Sequence, residues 1–165
     1  MCSADLHLHS RYSDGIFPPG ELVSQAQVAG CPMIALTDHD TVAGAEELLA
    51  AGESVGLPVT VGAEITCRVG GQEVHLLGYF AGDRWRHEPL RLVLDHCRQV
   101  RVQRMTKIVG RLNELGVELT VAEVEACSDC GVLGRPHVAR ALQKRGVVKT
   151  VEEAFERFLK QGPAT

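Results

Sequence analysis

Residues Asp5-Leu6-His7-Leu8-His9-Ser10 alternate strictly between polar and apolar side chains. That period predicts a β-strand with Asp5, His7 and His9 on one face and Leu6 and Leu8 turned inward on the other. Tyr12-Ser13-Asp14-Gly15 then signals a turn. Pro18-Pro19-Gly20-Glu21 opens a helix in which Leu22, Ala26 and Ala29 recur at helical spacing until Gly30. Met33-Ile34-Ala35-Leu36-Thr37 reads as a short buried strand that runs straight into three polar residues, Asp38-His39-Asp40. An alanine-rich helix over residues 43–55 closes at Gly56, and a strand from Pro58 continues through Gly62-Ala63-Glu64-Ile65-Thr66. Gly70-Gly71 predicts a hairpin turn into a return strand over residues 73–80, which carries His75.

The order β-α-β-α-β predicts a parallel sheet covered by helices. Near residue 85 the pattern changes. Residues 88–115 become helical, with Leu90, Val93, Leu94, Cys97, Ile108, Leu112 and Leu115 as an apolar stripe closed by Gly116. Three shorter helices follow, over residues 121–126, 136–145 and 151–159. The expected organisation is an α/β part over residues 1–85 and a helical lobe over 86–165, with no internal repeat.

Composition adds bounds. The chain has 165 residues, 45% of them hydrophobic and 23% charged, enough for one core and a small appended lobe. No apolar run approaches a membrane span, and no basic-then-apolar leader opens the sequence, so no membrane association is expected. The six cysteines are scattered, which without an export signal favours reduced thiols and a cytoplasmic setting over disulfides. Charge is uneven. Residues 1–86 hold 11 acidic and 4 basic side chains, a net of −7, whereas residues 87–165 hold 10 acidic and 13 basic, a net of +3. An acidic half suits cations and a basic half suits anions such as phosphate, although solvated faces that merely differ give the same counts.

The candidate chemistry follows from position. His7 and His9, Asp38 and His39, and Glu64 each fall at or just beyond the C-terminal end of a predicted parallel strand, the edge where α/β folds build active sites. Asp14 lies in the loop after the first strand, and the hairpin brings His75 beside Glu64. Histidines two apart on a strand leave the backbone in the same direction and can grip one ion. By itself the pair also reads as two histidines on a solvated face. Together, four imidazoles and at least two carboxylates on one rim suit mixed nitrogen and oxygen ligation of Zn, Mn or Fe.

Taken in order, D-L-H-L-H-S, Y-S-D-G, A-L-T-D-H-D-T, G-A-E-I and H-L-L-G-Y resemble the PHP (polymerase and histidinol phosphatase) family. Within it they resemble the branch of 3′,5′-nucleoside bisphosphate phosphatases and oligoribonucleases. The resemblance covers residues 5 to about 80, and Gly134-Arg135-Pro136-His137-Val138-Ala139 resembles a motif of that branch's helical insertion. It implies an α/β fold, a distorted seven-stranded (β/α) TIM-like barrel, of which this sequence carries the N-terminal part plus the insertion lobe. It further implies up to three divalent metal ions held by His7, His9, Asp14, His39, Glu64 and His75, with Glu64 bridging two. Asp38, His39 and Glu64 are the implied catalytic positions, Asp38 orienting a histidine rather than ligating. The implied reaction is hydrolysis of phosphate monoesters or short RNA ends by a hydroxide that the metals generate. The expected substrate is a phosphorylated nucleotide or short oligonucleotide, and no stable duplex DNA binding is expected.

Arg135 and His137 are candidate substrate contacts, because an arginine beside a helix N-terminus holds phosphate well. A capped surface helix is the competing reading. Arg98, Arg101, Arg104, Lys107 and Arg111 recur at helical spacing and read first as a solvated face, second as a phosphate or RNA contact. Cys127-Ser128-Asp129-Cys130 is an isolated C-x-x-C with no second pair, His87 and His96 read as surface residues, and none of these is a candidate site. The family pattern has a further histidine and an Asp-x-His after the insertion, whereas this sequence ends at Gln161-Gly162-Pro163-Ala164-Thr165. A truncated product or fragment is therefore expected. The alternative functions are a non-catalytic metal- or partner-binding half-barrel and a phosphoesterase of the histidinol phosphatase type.

Overall fold

The structure is a computed structural model that describes residues 3–160. Met1, Cys2 and residues 161–165 lie outside the described residues. The described chain forms two compact units that divide between Cys97 and Arg98.

The first unit is a four-stranded sheet in the order β1 (Asp5–Leu8), β2 (Ile34–Leu36), β3 (Val59–Val69), β4 (Gln72–Phe80). The first three strands are parallel, as the alternation of strands and helices predicts, and β4 returns antiparallel to β3. Gly70 and Gly71, at φ 57° and 85°, make the hairpin turn in a conformation that side chains resist. Helices α1 (Pro19–Val28) and α2 (Ala45–Val55) cover one face. There Leu22, Val23, Ile34, Leu36, Leu48 and Val61 are buried with Trp85. The short β2 is buried along its whole length, which fits its apolar sequence and its central position.

One expectation needs correction. Leu8 packs against this core, but Leu6 is 41% exposed. Strand β1 pairs only with β2 among the described residues, and its register shifts between Asp5 and Leu8, so the alternation of faces does not carry both leucines into the core.

The sheet is strongly curled. The Tyr79 hydroxyl on β4 donates to the Leu6 carbonyl on β1 at 2.8 Å. In a flat sheet these strands would stand three spacings apart, about 14 Å, further than a tyrosine reaches. Across the hairpin Thr66 opposes His75 and Gly62 opposes Tyr79. Opposed residues share a face, and so do alternate residues along a strand. Glu64, Thr66, His75 and Tyr79 therefore line the concave side, away from α1 and α2.

A short 3₁₀ turn at Gly82–Arg86 leads into α3 (Glu88–Glu114). Trp85 and Leu90 pack with the sheet unit, and the Cys97 thiol approaches the Thr66 carbonyl at 3.8 Å, so the start of α3 belongs to the sheet. Within the predicted stripe, Leu94, Cys97, Ile108 and Leu112 are buried, whereas Val93 and Leu115 are exposed.

The second unit continues with α4 (Val121–Glu125), α5 (Arg135–Lys144) and α6 (Val151–Ala154), the last running into a wider π turn at Phe155–Leu159. Its core is Met105, Ile108, Leu112, Val124, Leu133, Leu142 and Leu159 with their neighbours. Thr120 caps α4 reciprocally with Glu123, the hydroxyl accepting from the Glu123 amide and the carboxylate accepting from the Thr120 amide.

Candidate metal centre

The rim at the strand ends is assembled around Asp38-His39-Asp40, where β2 runs out. The backbone continues the sheet for one more step. The Glu64 amide donates to the Asp38 carbonyl and the Asp40 amide donates to the Glu64 carbonyl, which sets His39 directly beside Glu64. The two flanking aspartates point their buried carboxylates in different directions along the chain. Asp38 accepts from the Ser10 amide at 2.7 Å, the Ser10 hydroxyl at 2.6 Å and the Ser13 hydroxyl at 2.6 Å, so it grips the loop between His9 and Asp14. Asp40 accepts from the Thr66 amide and hydroxyl, both at 2.7 Å, and so grips β3 two residues past Glu64. Asp40 adopts φ 50°, the one positive value outside glycine among the described residues. Aspartate tolerates that region better than most residues, and the paired bonds to Thr66 hold it there.

The loop after β1 is equally constrained. The Ser10 carbonyl accepts from the amides of Ser13 and Gly15. A side chain at Gly15 would run into the His9 backbone, so a glycine here lets the loop fold back and bring Asp14 to His9.

The result is a cluster centred on Glu64. Its Oε2 lies 2.8 Å from His7 Nε2, 2.9 Å from His9 Nε2 and 3.6 Å from His39 Nδ1, and its Oε1 lies 2.6 Å from His75 Nδ1. Asp14 stands on the other side, 3.5 Å from His9 Nδ1 and 3.6 Å from His39 Nε2. Successive rings from His7 through His9 and His39 to His75 are 4.6–5.1 Å apart. Burial pushes the Glu64 carboxyl upward, but the His7 hydrogen bond and the charges of His39, His9 and His75 outweigh it and hold it below the usual carboxylate range. Asp38 moves the other way. Burial raises it, and the bonds from Ser10 and Ser13 offset only part of that.

Donor atoms of these six residues fall into three overlapping groups, His7–His9–Glu64, His9–Asp14–His39 and His39–Glu64–His75, with the atoms of each group within 4.8 Å of one another. Glu64, His9 and His39 each serve two groups. The donor set fits divalent cations. It offers imidazole nitrogens and carboxylate oxygens with no thiolate, the mixture that first-row divalent ions take. A cation also resolves the crowding, because four imidazoles around one carboxylate would otherwise each have to turn an N–H toward it, and charged rings at these separations repel.

The remaining candidates lie in the helical unit. Arg135 is the first residue of α5 and partly exposed. His137 is buried, and its Nδ1 accepts from the Gly134 amide, so this ring closes the helix start. Sequence reasoning did not single out Asp40, Ser10, Ser13 or Glu73, the last 3.4 Å from His75 Nε2. The signal for Asp40 was present in three polar residues ending an apolar strand.

Comparison with known proteins bears on the same rim. The PHP domain profile matches residues 5–160. A 5′-3′ exoribonuclease from Haemophilus influenzae is 35% identical over 96% of this chain and 57% of its own. A 3′,5′-nucleoside bisphosphate phosphatase from Chromobacterium violaceum is 31% identical over 98% of this chain and 56% of its own. The crystal structure of an inferred metal-dependent phosphoesterase from Bifidobacterium adolescentis superposes with a TM-score of 0.84 at 33% identity, covering 96% of this chain and 56% of that one. The chain thus spans a little over half the length of these relatives.

Proposed function

This chain belongs to the PHP domain family, and from that premise we propose that it contributes the metal centre of a phosphoesterase acting on phosphorylated nucleotides or short RNA ends. The observation that carries the reading is the sharing of Glu64 between two of the three donor groups, because the two oxygens of one carboxylate can hold neighbouring cations close together. Such ions, when bound, supply the nucleophile at neutral pH and offset charge on the phosphoryl group. Zn, Mn or Fe would be held by His7, His9, Asp14, His39, Glu64 and His75.

The chain's own part is to hold that set still. Asp38 fixes the loop carrying Asp14, Asp40 fixes the strand carrying Glu64, and the backbone bridge fixes His39 between them. No serine or cysteine nucleophile is required. Arg135 is proposed to meet a substrate phosphate, and His137 to support it by holding the start of α5. A cytoplasmic setting and the absence of stable duplex DNA binding are part of the same proposal. The relatives' names support a nucleotide or RNA substrate.

The test is phosphate release from adenosine 3′,5′-bisphosphate and from a 5′-phosphorylated trinucleotide, with added Mn²⁺ or Zn²⁺ and with chelator. Metal-dependent release, lost in Glu64→Ala and His39→Ala, is the expected result; turnover unchanged in either variant would remove the assigned site. A second reading of the same donor groups is metal binding without turnover. Zinc uptake with no phosphate release from either substrate would favour it.

A further inference from the structure

We propose that Ser13, held by Asp38, is a positioning residue that selects which nitrogen of His9 faces the metal centre. The inference rests on the metal-centre reading above and adds a direction to it. Asp38 accepts three hydrogen bonds in a buried setting, and Oδ1 takes the Ser13 hydroxyl at 2.6 Å. A serine hydroxyl carries one hydrogen, and a carboxylate has none to give back. With that hydrogen committed to Asp38, the Ser13 oxygen can only accept.

The neighbour it faces is His9 Nδ1, at 3.4 Å. The other group near that nitrogen is Asp14 Oδ1, at 3.5 Å, also an acceptor. Both partners of Nδ1 therefore call for a proton on it. An imidazole that ligates a cation is neutral and has one N–H, so in the ion-loaded site His9 Nε2 is left with its lone pair. That lone pair points toward Glu64 Oε2, 2.9 Å away, where two electron-rich atoms face each other unless a cation lies between them. The order Asp38, Ser13, His9 thus presets Nε2 as the ligating atom, as outer partners of metal-bound histidines commonly do. Ser13 is buried together with Ser10 and Asp38, so water is kept from replacing the hydroxyl.

The experiment uses the full 165-residue chain, ¹⁵N-labelled and loaded with Zn²⁺, with long-range ¹H–¹⁵N correlation of the imidazoles and zinc affinity measured by competition with a chelator. His9 is expected to bind zinc through Nε2 with a proton on Nδ1. Ser13→Ala is expected to weaken zinc binding by about 10–100-fold, and Ser13→Thr, which keeps the hydroxyl, to recover most of that. Zinc bound through His9 Nδ1 in the unsubstituted chain would overturn the proposal whether or not the variants fold. Unchanged zinc affinity in a folded Ser13→Ala would overturn it as well. Both outcomes leave the metal-centre reading standing, whereas failure of the unsubstituted chain to take up zinc would overturn the two together.

Discussion

The two units of this chain are organised on opposite principles. In the sheet unit the buried residues include Ser10, Ser13, Thr37, Asp38, Asp40, Thr41 and Glu64, gathered at one end of the strands. The helical unit buries Leu, Val, Ile, Met and Ala, and among its described residues Arg101 and His137 are the buried polar side chains. Burying a carboxylate is costly unless it is bonded, and the sheet unit meets that condition by giving Asp38 three donors and Asp40 two. Stability in the helical unit comes from apolar area, whereas the sheet unit uses its polar burial to fix geometry. The difference shows where precision is needed: in side chains that must meet at a point, rather than in those that need only exclude water.

The widest gap between the units is expected from paired substitutions. Glu64→Ala should lower zinc affinity by more than about a hundredfold, since loss of an outer partner alone costs up to that much, while thermal unfolding of the helical unit stays unchanged. Leu142→Ala, at a fully buried position, should reverse the pattern. It should cost about 2–5 kcal/mol in chemical denaturation and leave zinc affinity as it was. If Leu142→Ala also weakens zinc binding, the division of labour fails.

Asp40→Ala tests the sheet unit's polar burial from within. It strands the Thr66 amide and hydroxyl and asks alanine to hold φ 50°, for a loss of about 2–4 kcal/mol. Asp40→Asn, which accepts that backbone and keeps an acceptor, should lose less than half as much in urea unfolding. The smallest effect belongs to the rim of the helical unit. Thr120→Ala removes a helix cap and should cost about 1 kcal/mol. Glu123, held below the usual carboxylate range chiefly by the Thr120 hydroxyl, should support that unit above its ordinary value of 4.5 and lose this as the pH falls through the lower folded value. In Thr120→Ala this acid-dependent loss should shrink.

Much of the frame was legible in the sequence because it depends on local rules. Strand alternation, glycine stops at Gly30, Gly56 and Gly116, and the Gly70-Gly71 hairpin all act within a few residues. The six candidate ligands were legible as residue types at strand ends, and the structure brings their donor atoms into three groups. What the pattern could not give depends on partners far along the chain. That Leu6 is exposed follows from the register shift in β1, and that Asp40 reaches Thr66 follows from where β3 falls in the sheet. Ser10 reads as the end of the first strand and Ser13 as a turn residue until Asp38 takes their hydrogens.

The Asp38-His39-Asp40 hub also orders events in time. Asp38 closes on Ser10 across 28 residues, Asp40 on Thr66 across 26, and His7 on Glu64 across 57. Contacts of such separation form late, after chain entropy has been overcome, whereas turns within the helical unit can form early. The six-residue cation site therefore exists only once all four strands have docked. A divalent ion that binds this late arrangement, and nothing before it, would act as a thermodynamic latch on the sheet unit, raising its melting temperature with each increment in metal concentration.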